Sequence, residues 1–186
     1  MKVTFVNIDK KGIKKFSKNT KYVLITNYID KINKYNDLTI KPIIILYNGS
    51  YVIDLENNNV IIDKSLDEKT FNNILNYVNF SKIKINILKM NDKIYELILN
   101  CDNIHRRLII PYMFKDKYPN IKCNTLNKLI YIVDKKVSLL NSFEEVFNYL
   151  NLKNNYVDLE NLFINVSNDG YYKDNVNWKG YEKYEY

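Results

Sequence analysis

Four apolar runs in this chain end in side chains able to do chemistry. Residues 3–6 lead to Asn7 and Asp9, residues 22–25 to Thr26 and Asn27, and residues 43–46 to Asn48 and Gly49. Residues 162–166 lead to Asn168, Asp169 and Gly170, with Asp174 close behind. In α/β proteins ligands bind outside the carboxyl ends of parallel strands, so carboxylates, a hydroxyl and amides gathered there are the materials of a site. Each also has a plainer reading. Asp9 after a strand is a turn or helix-capping residue, Thr26 is the cap of a following helix, and Asn48-Gly49 and Asp169-Gly170 are ordinary turn pairs.

The elements that would position these residues are legible as hydrophobic patterns. The runs 3–6, 22–25 and 43–46 are solidly apolar, as strands buried on both faces are. Ile29, Ile32 and Tyr35 predict a helix between the second and third. Strands alternating with helical segments argue for a parallel sheet covered by helices. Two β-rich pieces, 51–53 and 60–62, predict a hairpin. Ser65 as N-cap with Glu68 opens a helix whose apolar face is Phe71, Ile74, Leu75 and Val78. A second hairpin turns at Asn91-Asp92, a helix runs from Asn103 up to Pro111, and 129–133 is a further strand. Ser142 to Glu145 fits a second capping box, with Phe143, Val146, Phe147 and Leu150 as the buried face. The tail from Tyr171 is rich in tyrosine, carries Trp178, and reads as a cover for a core edge.

Bulk composition bounds the functional class. With 186 residues, 46% hydrophobic and 26% charged, the chain can bury a core as one domain, or as one domain carrying a small inserted one. Four glycines and three prolines argue against linkers. The net charge is +7, but the lysines are scattered and no arginine-rich stripe accompanies them, so nucleic-acid binding is not the leading reading. Cys101 and Cys123 are far apart without a CxxC, which suits a reduced compartment, and the single histidine, His105, argues against a structural zinc site. No signal peptide or membrane span is evident, so the expectation is a soluble cytoplasmic protein.

The order strand, NID, strand, TN, strand, YNG, hairpin, "SLDE" helix resembles the haloacid dehalogenase-like (HAD) phosphatases, specifically their Cof-type branch. The resemblance covers most of the chain. It implies a Rossmann-like parallel sheet core formed by residues 1–49 and 134–186, with a reduced α+β cap, residues 50–133, inserted after the third strand. It also implies a Mg2+-dependent phosphatase of a small phosphorylated metabolite.

Carried across residue by residue, the family pattern puts Asp9 at the acid/base position and Thr26 where a hydroxyl holds a phosphoryl oxygen. Asn27 stands in place of a glycine, and Asn48 and Gly49 lie in the loop facing the substrate. Asp169 and Asp174, with Asp9, fit the magnesium ligands, or Asn168 takes that place if its strand ends one residue earlier. Two departures concern the chemistry itself. Asn7 occupies the position of the nucleophilic aspartate, and an amide is neither a useful nucleophile nor an anionic metal ligand. Leu139 occupies the position of the lysine that steadies the phosphate. The resemblance therefore leaves two readings, an active phosphohydrolase or a non-catalytic member that keeps the fold to bind a ligand or partner.

Overall fold

The computed structural model describes residues 2–10, 13, 16–35, 40–152 and 171–173. The strand expected at 162–166 and the candidate residues Asp169 and Asp174 lie outside them. The chain forms two compact units, residues 1–63 with 138–186 and residues 64–137.

The first unit is built on β1 (Lys2–Asn7), β2 (Thr20–Thr26), β3 (Ile43–Leu46), β4 (Tyr51–Asp54) and β5 (Asn59–Asp63). β1, β2 and β3 pair in parallel, and the β4–β5 hairpin continues the same sheet antiparallel to β3. The hairpin, expected in the insertion, is thus part of the first sheet: Ile43 to Leu46 pair with Asp54 to Tyr51. Segment 171–173 adds an antiparallel edge strand beside β1.

Both faces of the sheet are covered, which is why its strands are apolar without alternation. Val3, Phe5, Val23, Ile25, Ile43 and Ile45 lie in one cluster with Phe143, Val146 and Phe147. Those last three come from a helix of the same unit, Leu139–Tyr149. On the intervening positions Tyr22 packs against Phe16, which also meets Tyr35.

The second unit holds α1 (Glu68–Phe80), β6 (Lys84–Met90), β7 (Lys93–Asn100), α2 (Ile104–Lys117), β8 (Ile121–Leu126) and β9 (Leu129–Asp134). Its four strands are antiparallel in the order β6-β7-β9-β8. Leu97, Leu99, Ile130 and Ile132 form its core with Ile74 and Val78 of α1 and Ile110 and Phe114 of α2. Asn91 and Asp92 both adopt positive φ, as the two-residue turn between β6 and β7 requires.

The helix ends depart from the sequence expectation in three places. The cap of α1 is Asp67, which accepts from the Thr70 N–H at 2.8 Å, and Ser65 plays no part in it. Pro111 lies inside α2, which continues to Lys117. The last helix, now α3, is capped by Ser138, so Ser142 falls within its second turn. At the starts of α1 and α3 several serines, asparagines or aspartates could serve as cap, and tertiary packing selects among them.

That selection at α3 has a structural use. Tyr47, Asn48 and Gly49 leave β3 with φ of 51°, 55° and 95°, a left-handed run that costs a buried tyrosine backbone strain. Ser142 Oγ lies 3.1 Å from the Gly49 carbonyl and 2.9 Å from that of Ser138, sharing its proton between them. A Cβ on Gly49 would stand 2.2 Å from Ser142 Oγ and 2.9 Å from the Ser138 carbonyl. Gly49 therefore serves the docking of α3 on the end of β3.

At the other end of the sheet Asp54 is buried in a polar network. Lys21 Nζ reaches Asp54 Oδ1 at 3.0 Å and Glu56 Oε2 at 2.6 Å. Asp54 Oδ2 accepts from Tyr149 Oη at 3.0 Å and Asn57 Nδ2 at 2.8 Å. Burial alone would raise the Asp54 pKa, but the Lys21 contact, the Glu56 N–H and the Tyr149 hydroxyl together outweigh it and hold the carboxyl below its ordinary value. A depressed folded-state pKa stabilises above the ordinary carboxylate range, and that stabilisation is lost as pH falls through the folded value.

Two outcomes follow for denaturant melts of the whole chain. Asp54→Ala lowers stability at pH 7 by about 2 kcal/mol, because Lys21 loses its enclosed partner and keeps only the exposed Glu56, and Asp54→Asn flattens the loss of stability as pH falls into the acid range. Gly49→Ala costs about 2 kcal/mol or more, combining positive φ with the clash against α3, whereas Asn48→Gly at the neighbouring position is tolerated.

Candidate functional site

The carboxyl ends of β1, β2 and β3 come together because their register is parallel and stepped. Asn7 lies beside Ile25, and Thr26 beside Leu46. The Ile8 N–H donates to the Ile25 carbonyl at 2.9 Å, carrying β1's alignment one residue past the strand, to the residue before Asp9.

Asp9 is the centre of the cluster. Its Oδ1 accepts from Thr26 Oγ1 at 2.6 Å and from Lys31 Nζ at 2.7 Å, and its Oδ2 accepts from the Asn27 N–H at 2.9 Å. Its own N–H donates to Asn7 Oδ1 at 3.1 Å, so the Asn7 amide turns back on the loop that it begins. The Thr26 hydroxyl, fully buried, donates to Asp9 and accepts from the Tyr28 N–H at 3.1 Å. Its one proton is therefore committed to Asp9.

Asn27 and Asn48 form a second contact. Asn48 N–H donates to Asn27 Oδ1 at 3.0 Å, with Asn27 Nδ2 3.5 Å from Asn48 Oδ1. This clasp ties the end of β2 to the left-handed loop after β3. Five of the predicted residues, Asn7, Asp9, Thr26, Asn27 and Asn48, thus meet in one connected set of hydrogen bonds. Gly49, the sixth, is buried against α3 as described above. The side chain of Leu139, which the resemblance sets at the lysine position, packs on the apolar cluster of the first unit.

Lys31 is the residue that sequence reasoning missed. A continuous helix over Ile29, Ile32 and Tyr35 was expected there, but the segment forms two short 3-10 turns, Ile29–Lys31 and Asn33–Tyr35. The tighter turn returns Lys31 to Asp9, with Nζ 4.9 Å from the centroid of the Tyr28 ring. A lysine one turn beyond Thr26 was the available signal.

The family pattern implies magnesium as the site's cation. Mg2+ takes oxygen ligands, usually one or two carboxylates with water. Here both Asp9 oxygens are engaged by donors of the chain, and Asn7 offers a neutral amide already bonded to Asp9. Among the described residues no three His, Cys, Asp or Glu side chains group as metal ligands. The described donor set does not fit Mg2+; Asp169 and Asp174 fall outside it.

Comparison with known proteins bears on the same architecture. The model of the haloacid dehalogenase-like hydrolase family matches residues 6–179. No curated protein matches the chain. A haloacid dehalogenase-like hydrolase from Bacteroides thetaiotaomicron is similar in structure, with a TM-score of 0.56 at 11% identity, over 70% of this chain and 64% of that one. A hydrolase of the same description from B. subtilis gives a TM-score of 0.56 at 11% identity, over 71% and 67% of the two chains. A HAD subclass IIB sugar phosphatase gives 0.53 at 9% identity, over 72% and 64%. This chain thus spans less than two thirds of the Bacteroides hydrolase and of the sugar phosphatase, and at these identities the likeness is one of fold. The family match covers nearly the whole chain and includes every strand end that builds the cluster around Asp9. On that ground the chain belongs to the haloacid dehalogenase-like hydrolase family.

Proposed function

We propose that this chain binds a small phosphorylated metabolite at the carboxyl ends of β1, β2 and β3, and that it does so without hydrolysing it. The observation that carries the reading is the state of the first strand's end: Asn7 presents an amide there, and that amide accepts from the Asp9 N–H. Aspartyl-phosphate chemistry needs a carboxylate nucleophile at that place. An amide oxygen holding a loop together does not attack phosphorus.

The groups that remain suit binding. A hydroxyl, a backbone N–H and an ammonium group lie together at Thr26, Asn27 and Lys31, and such donors recognise phosphoryl oxygens. The sugar phosphatase among the structural neighbours supports a phosphorylated small molecule as the ligand class. The two free cysteines, Cys101 and Cys123, suit a reducing, cytoplasmic setting. Burial pushes the Cys123 thiol up to about 11, which keeps it unreactive at neutral pH.

The second reading is an active Mg2+-dependent phosphatase, favoured by the retained motif order with Asp9 and Thr26 in place. One experiment separates the two: release of phosphate from a generic aryl phosphate, with and without Mg2+, by the parent and by Asn7→Asp. The expected result is a parent at background, with any metal-dependent turnover appearing only in Asn7→Asp. Metal-dependent turnover by the parent, abolished by Asp9→Ala, establishes the phosphatase instead.

A further inference from the structure

The donors around Asp9 have a feature that the family pattern does not explain. Three groups that could hold an external anion all point at an internal one. Thr26 Oγ1 and Lys31 Nζ reach Asp9 Oδ1 at 2.6 and 2.7 Å, and the Asn27 N–H reaches Oδ2 at 2.9 Å. All three donors come from the end of β2 and the turn behind it, and the anion comes from the end of β1.

We propose that Asp9 is the built-in occupant of the phosphate position that the family pattern gives to Thr26, with the Asn27 N–H and Lys31 completing its cradle of donors. The proposal rests on the binding function set out above. It assigns the phosphate-holding ammonium to Lys31, in place of the lysine missing at position 139, and it makes Asp9 a competitor of the ligand.

The chemistry of the exchange is direct. A carboxylate and a phosphoryl group both offer anionic oxygens to N–H and O–H donors, and the phosphoryl group carries more charge and more acceptors. The Asp9 and Lys31 side chains are 22% and 38% exposed, so an incoming anion can reach the pair. Partly exposed ion pairs are weak and exchange with solvent ions. Lys31 sits on a flexible stem with its ammonium beside the Tyr28 ring, which can keep the cation in place when Asp9 turns away. Asp9 stands in an exposed turn beyond β1.

The occupied cradle makes an unusual forecast. Removing the charge of an acidic group in the binding site strengthens ligand binding instead of weakening it. The test uses inorganic phosphate and glucose 6-phosphate as probes on the full chain, with binding read by calorimetry and by the shift of the Asn27 backbone amide. Folding of each variant is checked by its melt. Asp9→Asn is expected to bind both probes about tenfold more tightly than the parent, since a tenfold change is what release of one weak internal competitor supplies.

Lys31→Gln is expected to weaken binding in the parent and to cancel the gain in the Asp9→Asn background, while Lys31→Arg restores it. Asp30→Asn removes a charge from the same turn without freeing a donor, and it is expected to change affinity by no more than about twofold. Binding by the parent that Asp9→Asn leaves equal or weaker overturns the occupied cradle and leaves the binding function standing. A gain in Asp30→Asn equal to that in Asp9→Asn overturns it too, as an effect of net charge. A silent parent beside a binding Asp9→Asn supports the cradle and removes the binding function of the natural chain. Silence from every variant, Lys31→Arg included, overturns both.

Discussion

The stepped parallel register of β1, β2 and β3 is the constraint on which the site depends. Pairing Asn7 with Ile25 and Thr26 with Leu46 brings three strand ends within reach of one another, although the segments between them are long in sequence. A one-residue slip would turn Asp9 away from Thr26 and send every buried side chain of the slipped strand to the other face. Burial on both faces holds these strands in the core: Val23, Ile43, Ile44 and Ile45 are fully enclosed.

Onto this frame the chain adds two devices that face opposite ends of the sheet. The left-handed Tyr47-Asn48-Gly49 loop stores backbone strain and is retained because α3 docks there through Ser142. Asp54 and Lys21 form a nearly enclosed ion pair at the far end, completed by Tyr149 from α3. The helix is thus tied at its start to the end of β3 and at its last residue to Asp54 of β4. That arrangement keeps the strand ends rigid, and a site made of hydrogen bonds between loops needs such support.

The cluster at Asp9 is a connected set of hydrogen bonds that joins three strand ends. The neutral Asn7 amide accepts from the Asp9 backbone, and Lys31 sets a positive charge beside the Asp9 carboxylate. The substitution at position 7 and the inward lysine are therefore mutually consistent. Both keep the local negative charge low.

The sequence alone determined the framework: three apolar runs ending in polar residues, the parallel sheet they imply, the amphipathic helices, and the membership suggested by their order. Those features are legible because burial on both faces imposes continuous apolar runs and a helix imposes its own period. It also determined that Asn7, Asp9, Thr26, Asn27 and Asn48 would be neighbours, since strand ends of one parallel sheet share an edge. The tertiary structure alone decided which caps the helices use, that the 51–63 hairpin extends the first sheet, that Gly49 serves packing, and that Lys31 closes on Asp9. Each of these turns on competition between near-equal local choices, such as Ser138 against Ser142 or a 3-10 turn against a helix, and such choices are settled by contacts from residues far away in the chain.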